Sequence, residues 1–274
     1  MENVKIGYQI YSARDDAASD LVGTLKAIKA MGYDGVELAG LYGKTAAEFK
    51  AALDEAGICA ISAHVPLAEI EADMFKTISD YKLLGCKFIA VPYTDDTCRP
   101  GGVNFARTLR NMRTFGRLCK KAGIQLLYHN HDFEFIDFSG MCGLDFIYTA
   151  IDEDTLKTEI DTCWAKYAGR DPAEYVLSYS GRAPVVHLKD YVGVKSGDKN
   201  PYALIGMADD SAKAGEIEFE FRPVGYGCQD VKTLCDASVK AGADWLIVEQ
   251  DNSVGRAPLE AAKMSREYLK SIGY

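Results

Sequence analysis

Strand-like and helix-like segments alternate eight times along this chain. Each strand-like segment is an apolar run of about four to six residues, and most of the helical segments that follow end at a glycine. Apolar residues fill these runs almost without interruption, as expected for parallel strands that are buried on both faces. The eight predicted strands are Val4–Gln9, Gly35–Leu38, Ile58–Ala63, Lys87–Val91, Ile124–His129, Leu156–Asp161, Pro184–Lys189 and Trp245–Glu249.

The helical segments complete a repeated strand–helix order. Eight such units in about 250 residues favour a closed, single-domain (β/α)8 TIM barrel that spans residues 1–274. A doubly wound open sheet is the alternative, although it needs fewer units. The predicted helices are Ser19–Met31, Thr45–Ala56, Ile70–Leu84, Val103–Ala122, Leu144–Ile151, one that begins at Asp171–Pro172, Asp230–Ala241 and Pro258–Ile272.

The segment 191–229 interrupts this alternation. It is rich in Gly, Asp and Lys, and we interpret it as a long loop excursion. A loop of this length is unusual in a compact domain and often serves as a lid or a binding loop. A peripheral insertion without a chemical role is the equal alternative.

The charge balance argues against a nucleic-acid partner. The chain has 31 Lys and Arg against 40 Asp and Glu, a formal net charge of −9, whereas nucleic-acid binding needs clustered basic residues. No apolar run approaches the length of a membrane span, and the N-terminus MENVKIGYQIYSARDD lacks the pattern of a signal peptide. The eight cysteines contain no CxxC pair, which favours reduced thiols. We therefore expect a cytoplasmic protein with a small-molecule partner. Its oligomeric state stays open, a homo-oligomer included.

All four histidines lie at or just after predicted strand ends. In a strand–helix barrel, chemistry takes place at the C-terminal ends of the strands. Histidines scattered for packing would not share one rim, so the pattern predicts a functional site there. These histidines are His64, His129, His131 and His187.

Four strand ends together predict a metal site formed by His129, Asp161, His187 and Glu249. A carboxylate buried at the end of an apolar strand is costly unless it is paired or bound to a metal. An ion pair with Lys189 or with a loop arginine is the alternative for the two acids. Two imidazoles and two carboxylates suit Mn²⁺, our first choice, or Co²⁺, Fe²⁺ or Zn²⁺ better than Mg²⁺.

Other polar residues on the same rim are candidates for substrate binding. We expect Gln9, Glu37 and His64 to orient substrate or metal ligands, although a structural hydrogen bond explains Glu37 equally well. Trp164 could form an apolar wall against a sugar ring, with core packing as the equal alternative. His129 directly follows its apolar run, so we favour it over His131 as the metal ligand.

At these residues the chain resembles the sugar phosphate isomerase/epimerase superfamily of xylose isomerase-like barrels. Ketose 3-epimerases, inosose dehydratases and relatives of endonuclease IV belong to this group. The resemblance covers the whole chain and implies one divalent metal held by Asp161, His187, Glu249 and a residue of the fifth strand. Its motifs, in order, are YQIYS, DGVELAG, ISAHVP, YHNHDFEF, EIDTCW, VVHLKD, PVGYG and IVEQD.

Two positions depart from the pattern of the resembled family. His129 stands where the epimerases have a glutamate, which weakens the acid/base pair that 3-epimerisation uses. Inosose dehydratases also have a histidine-rich fifth strand, so dehydration gains weight. Trp164 replaces a frequent histidine. The extra ligands that endonuclease IV relatives need are missing, which argues against a nuclease.

The resemblance and the predicted site imply proton abstraction next to the carbonyl of a keto-sugar or related polyol, assisted by a metal. Glu249 or His131 would move the proton, and Lys189 would neutralise the developing charge. Isomerisation or epimerisation is the first expectation. The alternatives are a metal-dependent dehydratase or lyase acting on an inosose or a 3-keto-glycoside, and a non-catalytic sugar-binding barrel.

Overall fold

The computed structural model of the protein describes residues 4–193 and 219–274. Within them, eight parallel strands close into a barrel, because the first strand pairs with both the second and the last. The predicted (β/α)8 TIM barrel is therefore confirmed, and the open sheet is excluded. The barrel strands are Lys5–Gln9, Gly35–Ala39, Cys59–His64, Phe88–Val91, Gln125–His129, Leu156–Asp161, Val185–Leu188 and Trp245–Val248.

Helices surround the barrel. The predicted bounds of the strands and of most helices lie within about two residues of those in the structure. None of the helices in the described part of the chain has the length and apolar content that crossing a bilayer requires. The α-helices are Arg14–Ser19, Leu21–Met31, Ala46–Ala56, Leu67–Ala72, Met74–Leu84, Phe105–Ala122, Gly143–Ala150, Thr162–Tyr167, Pro172–Ser178, Val231–Ala241 and Pro258–Ser271.

The sequence-based prediction of the helices was wrong in two respects. The predicted helix Ile70–Leu84 is two helices, because the Asp73 carboxylate accepts the backbone N–H groups of Phe75 and Lys76 and begins a new helix there. The short helices Arg14–Ser19 and Thr162–Tyr167 were missed. Each spans only six residues, too few for a clear apolar periodicity.

The interior of the barrel is divided into two layers. The lower layer is apolar, and Gly7 makes room for it, because a Cβ atom at that position would lie 2.5 Å from Cδ1 of Ile61. Side chains alternate along a strand, so His129, His187 and Glu249, each two residues after a member of the lower layer, face the same lumen and belong to the upper layer. The lower layer consists of Ile61, Ala90, Leu127, Val185 and Ile247.

The predicted loop excursion at 191–229 contains regular structure. Asp190–Gly193 pairs in antiparallel fashion with Phe219–Arg222, and residues 194–218 lie outside the described residues. Short strands therefore lie at both ends of this segment, and its role as a lid or as a peripheral insertion stays a prediction. The strand pair contributes Tyr191, Phe219 and Phe221 to a hydrophobic cluster beside the barrel mouth. The other members of that cluster are Cys163, Trp164 and Tyr167.

The Asp190 carboxylate fixes the turn that follows this strand pair. It accepts backbone N–H groups of Tyr191 at 2.9 Å, Gly225 at 3.0 Å, Gly227 at 2.9 Å and Gln229 at 3.1 Å. Four such hydrogen bonds satisfy a buried carboxylate without a counter-ion. The motif PVGYG is therefore held against the seventh barrel strand.

Candidate active site

The upper layer of the barrel is made of ionisable side chains. None of them is more than 8% exposed, although charged groups are seldom buried without a function or a partner. They come from most of the strand ends, as predicted from the sequence. They are Glu37, His64, His129, Glu159, Asp161, His187, Lys189, Glu249 and Asp251.

The predicted metal ligands His129, Asp161, His187 and Glu249 converge, and we call them the outer set. One ligand atom from each lies within 4.8 Å of the others. Nε2 of His129 is 3.8 Å from Oδ2 of Asp161, and Nδ1 of His187 is 3.1 Å from Oε2 of Glu249. Oδ2 of Asp161 is buried without a hydrogen-bond partner among the described residues, which suits a metal ligand. The donor set fits a divalent cation.

Lys189 also contacts the outer set, so the ion pair considered as an alternative is present. Its Nζ lies 2.9 Å from Glu249, 3.5 Å from Asp161 and 2.6 Å from Asp251. Burial alone would lower the pKa of Lys189, but the three carboxylates outweigh it and raise that pKa well above its usual value. The ion pairs and the candidate metal site therefore share the carboxylates of Asp161 and Glu249.

Below the outer set, the Glu159 carboxylate faces three imidazoles. Its Oε1 lies 2.6 Å from Nε2 of His64, 3.3 Å from Nδ1 of His129 and 3.2 Å from Nε2 of His187. The sequence analysis missed Glu159. A signal existed, because Glu159 precedes Asp161 by two positions and so faces the same side of the strand.

Glu37 also belongs to the group of ionisable side chains below the outer set. It accepts hydrogen bonds from the side chains of Gln9, at 2.7 Å, and Ser62, and its Oε2 lies 2.7 Å from Nε2 of His187. Burial lowers the pKa of His187, but Glu37 and Glu159 outweigh it and hold that pKa well above its usual value. Positive charge at this point, from a proton or a metal, is therefore favoured.

Residues 25–272 match the family of xylose isomerase-like TIM barrels. The chain belongs to this family. The inosose dehydratase of Geobacillus kaustophilus is 23% identical over 267 residues, which cover 88% of this chain and 84% of that protein. A sugar phosphate isomerase/epimerase from Parabacteroides distasonis has a TM-score of 0.77 at 20% identity and covers 99% of this chain and 95% of its own. These matches confirm the resemblance noted from the motifs.

One solved member of the xylose isomerase-like barrels bears on the metal. A protein from Mycobacterium smegmatis, in complex with magnesium, has a TM-score of 0.68 at 15% identity and covers 98% of this chain and 96% of its own. At that identity the likeness extends to the fold alone. The buried outer set of this chain is nevertheless a candidate metal site on its own geometry.

His131 lies in an aromatic slot beside the mouth of this xylose isomerase-like barrel. Its ring stacks on Phe133 at a centroid distance of 5.1 Å, and Trp164 lies 5.4 Å away. Burial holds the pKa of His131 well below its usual value, so the imidazole is neutral at neutral pH. Trp164 is fully buried, and Lys189 Nζ lies 5.3 Å from the centre of its ring. The Trp164 ring therefore packs behind Lys189 and contacts the site through that side chain.

Glu134, just beyond the fifth strand, is fully buried. It accepts hydrogen bonds from the hydroxyl group of Tyr128 at 2.7 Å and from the backbone N–H of His131 at 2.8 Å. Burial raises the pKa of Glu134 to about 7. The turn Phe133–Phe135 packs under the mouth of the barrel and buries this side chain. The local sequence gives no indication of that packing.

A cavity of about 310 Å³ opens above the outer set. Its size is at the lower end of small-molecule sites, which suits one sugar ring. Its lining combines ionisable side chains with apolar ones, which include Tyr11, Pro66 and Pro92. The predicted residues that line it are His64, His129, His131, Lys189 and Glu249. Gln9, Glu37, Asp161, Trp164 and His187 stand behind that lining, each fully buried.

Proposed function

We propose that the protein is a metal-dependent enzyme that removes a proton next to the carbonyl of a keto-sugar or related polyol. The observation that carries the proposal is the convergence of the outer set beneath a cavity of about 310 Å³. Glu249 and His129 belong to the outer set and also line that cavity. Isomerisation or epimerisation of the sugar is the first expected outcome.

A divalent cation would be held by His129, Asp161, His187 and Glu249. We expect Mn²⁺ there, with Co²⁺, Fe²⁺ or Zn²⁺ as alternatives, and the magnesium-bound family member puts Mg²⁺ among the ions to test. When bound, such an ion supplies Lewis acidity toward a carbonyl oxygen. Burial lowers the pKa of His129, which keeps that imidazole in the neutral form that ligates metals.

Glu249 and His131 are the proposed proton carriers. Burial would raise the pKa of Glu249, but Lys189 and His187 hold it well below its usual value, so its carboxylate is ionised and can accept a proton. The neutral imidazole of His131 lines the same cavity and can receive or donate a proton. Lys189 is placed to neutralise charge that develops on the substrate.

A dehydratase or lyase is the second candidate, favoured by His129. Epimerisation at one carbon uses two acids on opposite faces of the substrate, and here the fifth strand supplies an imidazole in place of one carboxylate. Elimination needs one base and one donor for the departing hydroxyl or alkoxyl group, which Glu249 with His131 or Lys189 can provide. The similarity to the inosose dehydratase of Geobacillus kaustophilus supports an inosose as substrate, with a 3-keto-glycoside as the alternative.

The test is solvent deuterium exchange by the purified, metal-stripped chain after each ion is added back. Ketoses, an inosose and a 3-keto-glycoside are incubated in D₂O and followed by NMR, which distinguishes exchange, epimers and elimination products. Glu249→Gln should abolish exchange, whereas the matched surface variant Glu55→Gln should not, because Glu55 is exposed and pairs with Lys26. A non-catalytic sugar-binding barrel would bind sugar but give no exchange with any metal, and that outcome would overturn the proposal.

A further inference from the structure

A second group of metal-ligating side chains lies one tier deeper than the outer set. One ligand atom from each member lies within 4.8 Å of the others. We propose that this inner set is an alternative site for a divalent transition ion of the zinc type, and that ions in the inner and outer sets exclude one another. The inner set consists of His64, His129, Glu159 and His187.

The two sets share two imidazoles but use opposite nitrogens of each. His129 directs Nε2 toward Asp161, at 3.8 Å, and Nδ1 toward Glu159, at 3.3 Å. His187 directs Nδ1 toward Glu249, at 3.1 Å, and Nε2 toward Glu159, at 3.2 Å. A neutral imidazole has one nitrogen with a free lone pair. Each ring therefore serves one set at a time, and the two sets together hold one such ion.

Two buried imidazole nitrogens point into the inner set. Nδ1 of His129 and Nε2 of His187 lie 3.3 Å and 3.2 Å from Oε1 of Glu159, and neither makes a hydrogen bond of good geometry within the described parts of the chain. Leaving a buried polar atom unsatisfied is costly, so two such atoms facing one carboxylate need an explanation. A cation between them would satisfy both.

The charges also differ between the two sets. Glu37 and Glu159 are fully buried, and among residues 4–193 and 219–274 their ion-pair partners are histidines alone. The outer carboxylates instead have the permanent cation Lys189 at 2.9 Å from Glu249. Glu159, the carboxylate of the inner set, and Glu37 beside it thus lack a fixed counter-charge, which an ion in the inner set would supply.

The inner donors match zinc better than manganese. Three imidazole nitrogens and one carboxylate oxygen make a four-coordinate site of the kind that Zn²⁺ adopts. With the inner set filled, Nδ1–H of His187 donates to Glu249 at 3.1 Å, an arrangement that orients zinc-bound histidines. The outer set has one more carboxylate and one fewer imidazole, so it suits Mn²⁺ better than the inner set does.

The experiment measures Zn²⁺ affinity of the full, metal-stripped chain by competition with a chromogenic chelator, and Mn²⁺ affinity in parallel. His64→Asn and Glu159→Gln remove a ligand from the inner set alone, and Glu249→Gln removes one from the outer set alone. Ser62→Ala is the matched control, because Ser62 is buried beside Glu37 but belongs to neither set. Thermal melting of the metal-free variants checks folding.

His64→Asn should weaken Zn²⁺ binding by at least about tenfold, whereas Glu249→Gln should change it by less than about threefold. Mn²⁺ binding should show the reverse order. Zn²⁺ binding that falls with Glu249→Gln and not with His64→Asn would overturn the inner site. A Mn²⁺ affinity that does not change in Glu249→Gln would instead contradict the proposed function but not the inner site.

A second measurement needs no variant. Crystals of the wild-type chain soaked in Zn²⁺ should give an anomalous difference peak about 2.0 Å from Nε2 of His64. A peak between Asp161 and Glu249 alone would overturn the proposal. The same crystals soaked first in Mn²⁺ and then in Zn²⁺ should lose the outer peak as the inner one appears, because the two histidines are shared.

Discussion

The two layers of the barrel interior come from the same strands but have opposite chemistry. On the fifth strand Leu127 belongs to the apolar lower layer and His129, two residues later, to the charged upper layer. The seventh strand repeats the step from Val185 to His187. Two residues of strand span only about 6.6 Å, so the change from packing to chemistry takes place within one side-chain repeat.

This contrast separates stability from function. A layer of apolar side chains gains free energy from burial and close packing. Buried carboxylates and imidazoles cost desolvation energy, and replacing such groups with apolar ones is often neutral or stabilising. We therefore expect changes in the lower layer to affect folding and changes in the upper layer to affect metal binding and turnover.

The largest expected effect is that of Asp161→Asn in the upper layer. Asparagine can keep the helix cap, because Oδ1 of Asp161 accepts the N–H of Trp164 at 3.0 Å, but it removes the charge that a metal needs. We expect kcat/KM for the identified substrate to fall about 10³-fold while the melting temperature stays close to that of the wild type. A variant that keeps its activity but melts much earlier would contradict the separation of the layers.

Leu127→Ala in the lower layer should do the opposite. Leu127 is fully buried, so its truncation leaves a cavity and should lower the free energy of unfolding by about 2 to 5 kcal/mol. Urea denaturation measures the loss, and Leu83→Ala is the matched control because Leu83 is 53% exposed. Metal affinity below the unfolding transition should not change. If it falls as far as stability does, the two layers are one unit.

The smallest expected effect is the pH dependence of stability that Glu134 causes near the mouth of the barrel. Burial raises its pKa from 4.5 to about 7. A carboxyl with a raised pKa in the folded state contributes stability that is full below pH 4.5 and is lost as the pH rises to about 7. Glu134→Gln cannot ionise, so relative to the wild type it should gain at most about 3 kcal/mol across that range.

Unfolding free energies of the two proteins at pH 4.5, 6 and 8 measure this difference. Glu48→Gln is the control, because hydrogen bonds from Thr45 lower the pKa of Glu48 and its effect has the opposite sign. A difference between wild type and Glu134→Gln that does not vary with pH would show that Glu134 is solvated in the folded state.

The barrel was predictable because its signals are local. Apolar runs and helix-ending glycines repeat along the chain, and parallel strands necessarily bring their ends to one rim. That rule alone predicts that His129, Asp161, His187 and Glu249 lie together. The sequence could not decide between a metal and an ion pair with Lys189, because distances across the barrel are not encoded locally.

The residues that the sequence missed have weak local signals of burial or none. Asp251 follows the last strand and resembles an ordinary loop acid, yet its carboxylate lies 2.6 Å from Lys189. Glu159 was hidden between Thr158 and Ile160, and only its parity with Asp161 indicated its direction. Similarly, the break at Asp73 depends on a side chain that competes with the helix backbone, which apolar periodicity does not register.

The anchored turn after the strand pair has a consequence for mutational tolerance. A Cβ atom at Gly227 would lie 2.2 Å from Oδ1 of Asp190, so a side chain there would push on that carboxylate. Asp190 directly follows Lys189, whose ammonium lies among the carboxylates of the mouth. The site inside the barrel therefore constrains which residues a short stretch near the surface can tolerate. Screens for impaired variants should find substitutions at Gly227 as often as at the proposed metal ligands.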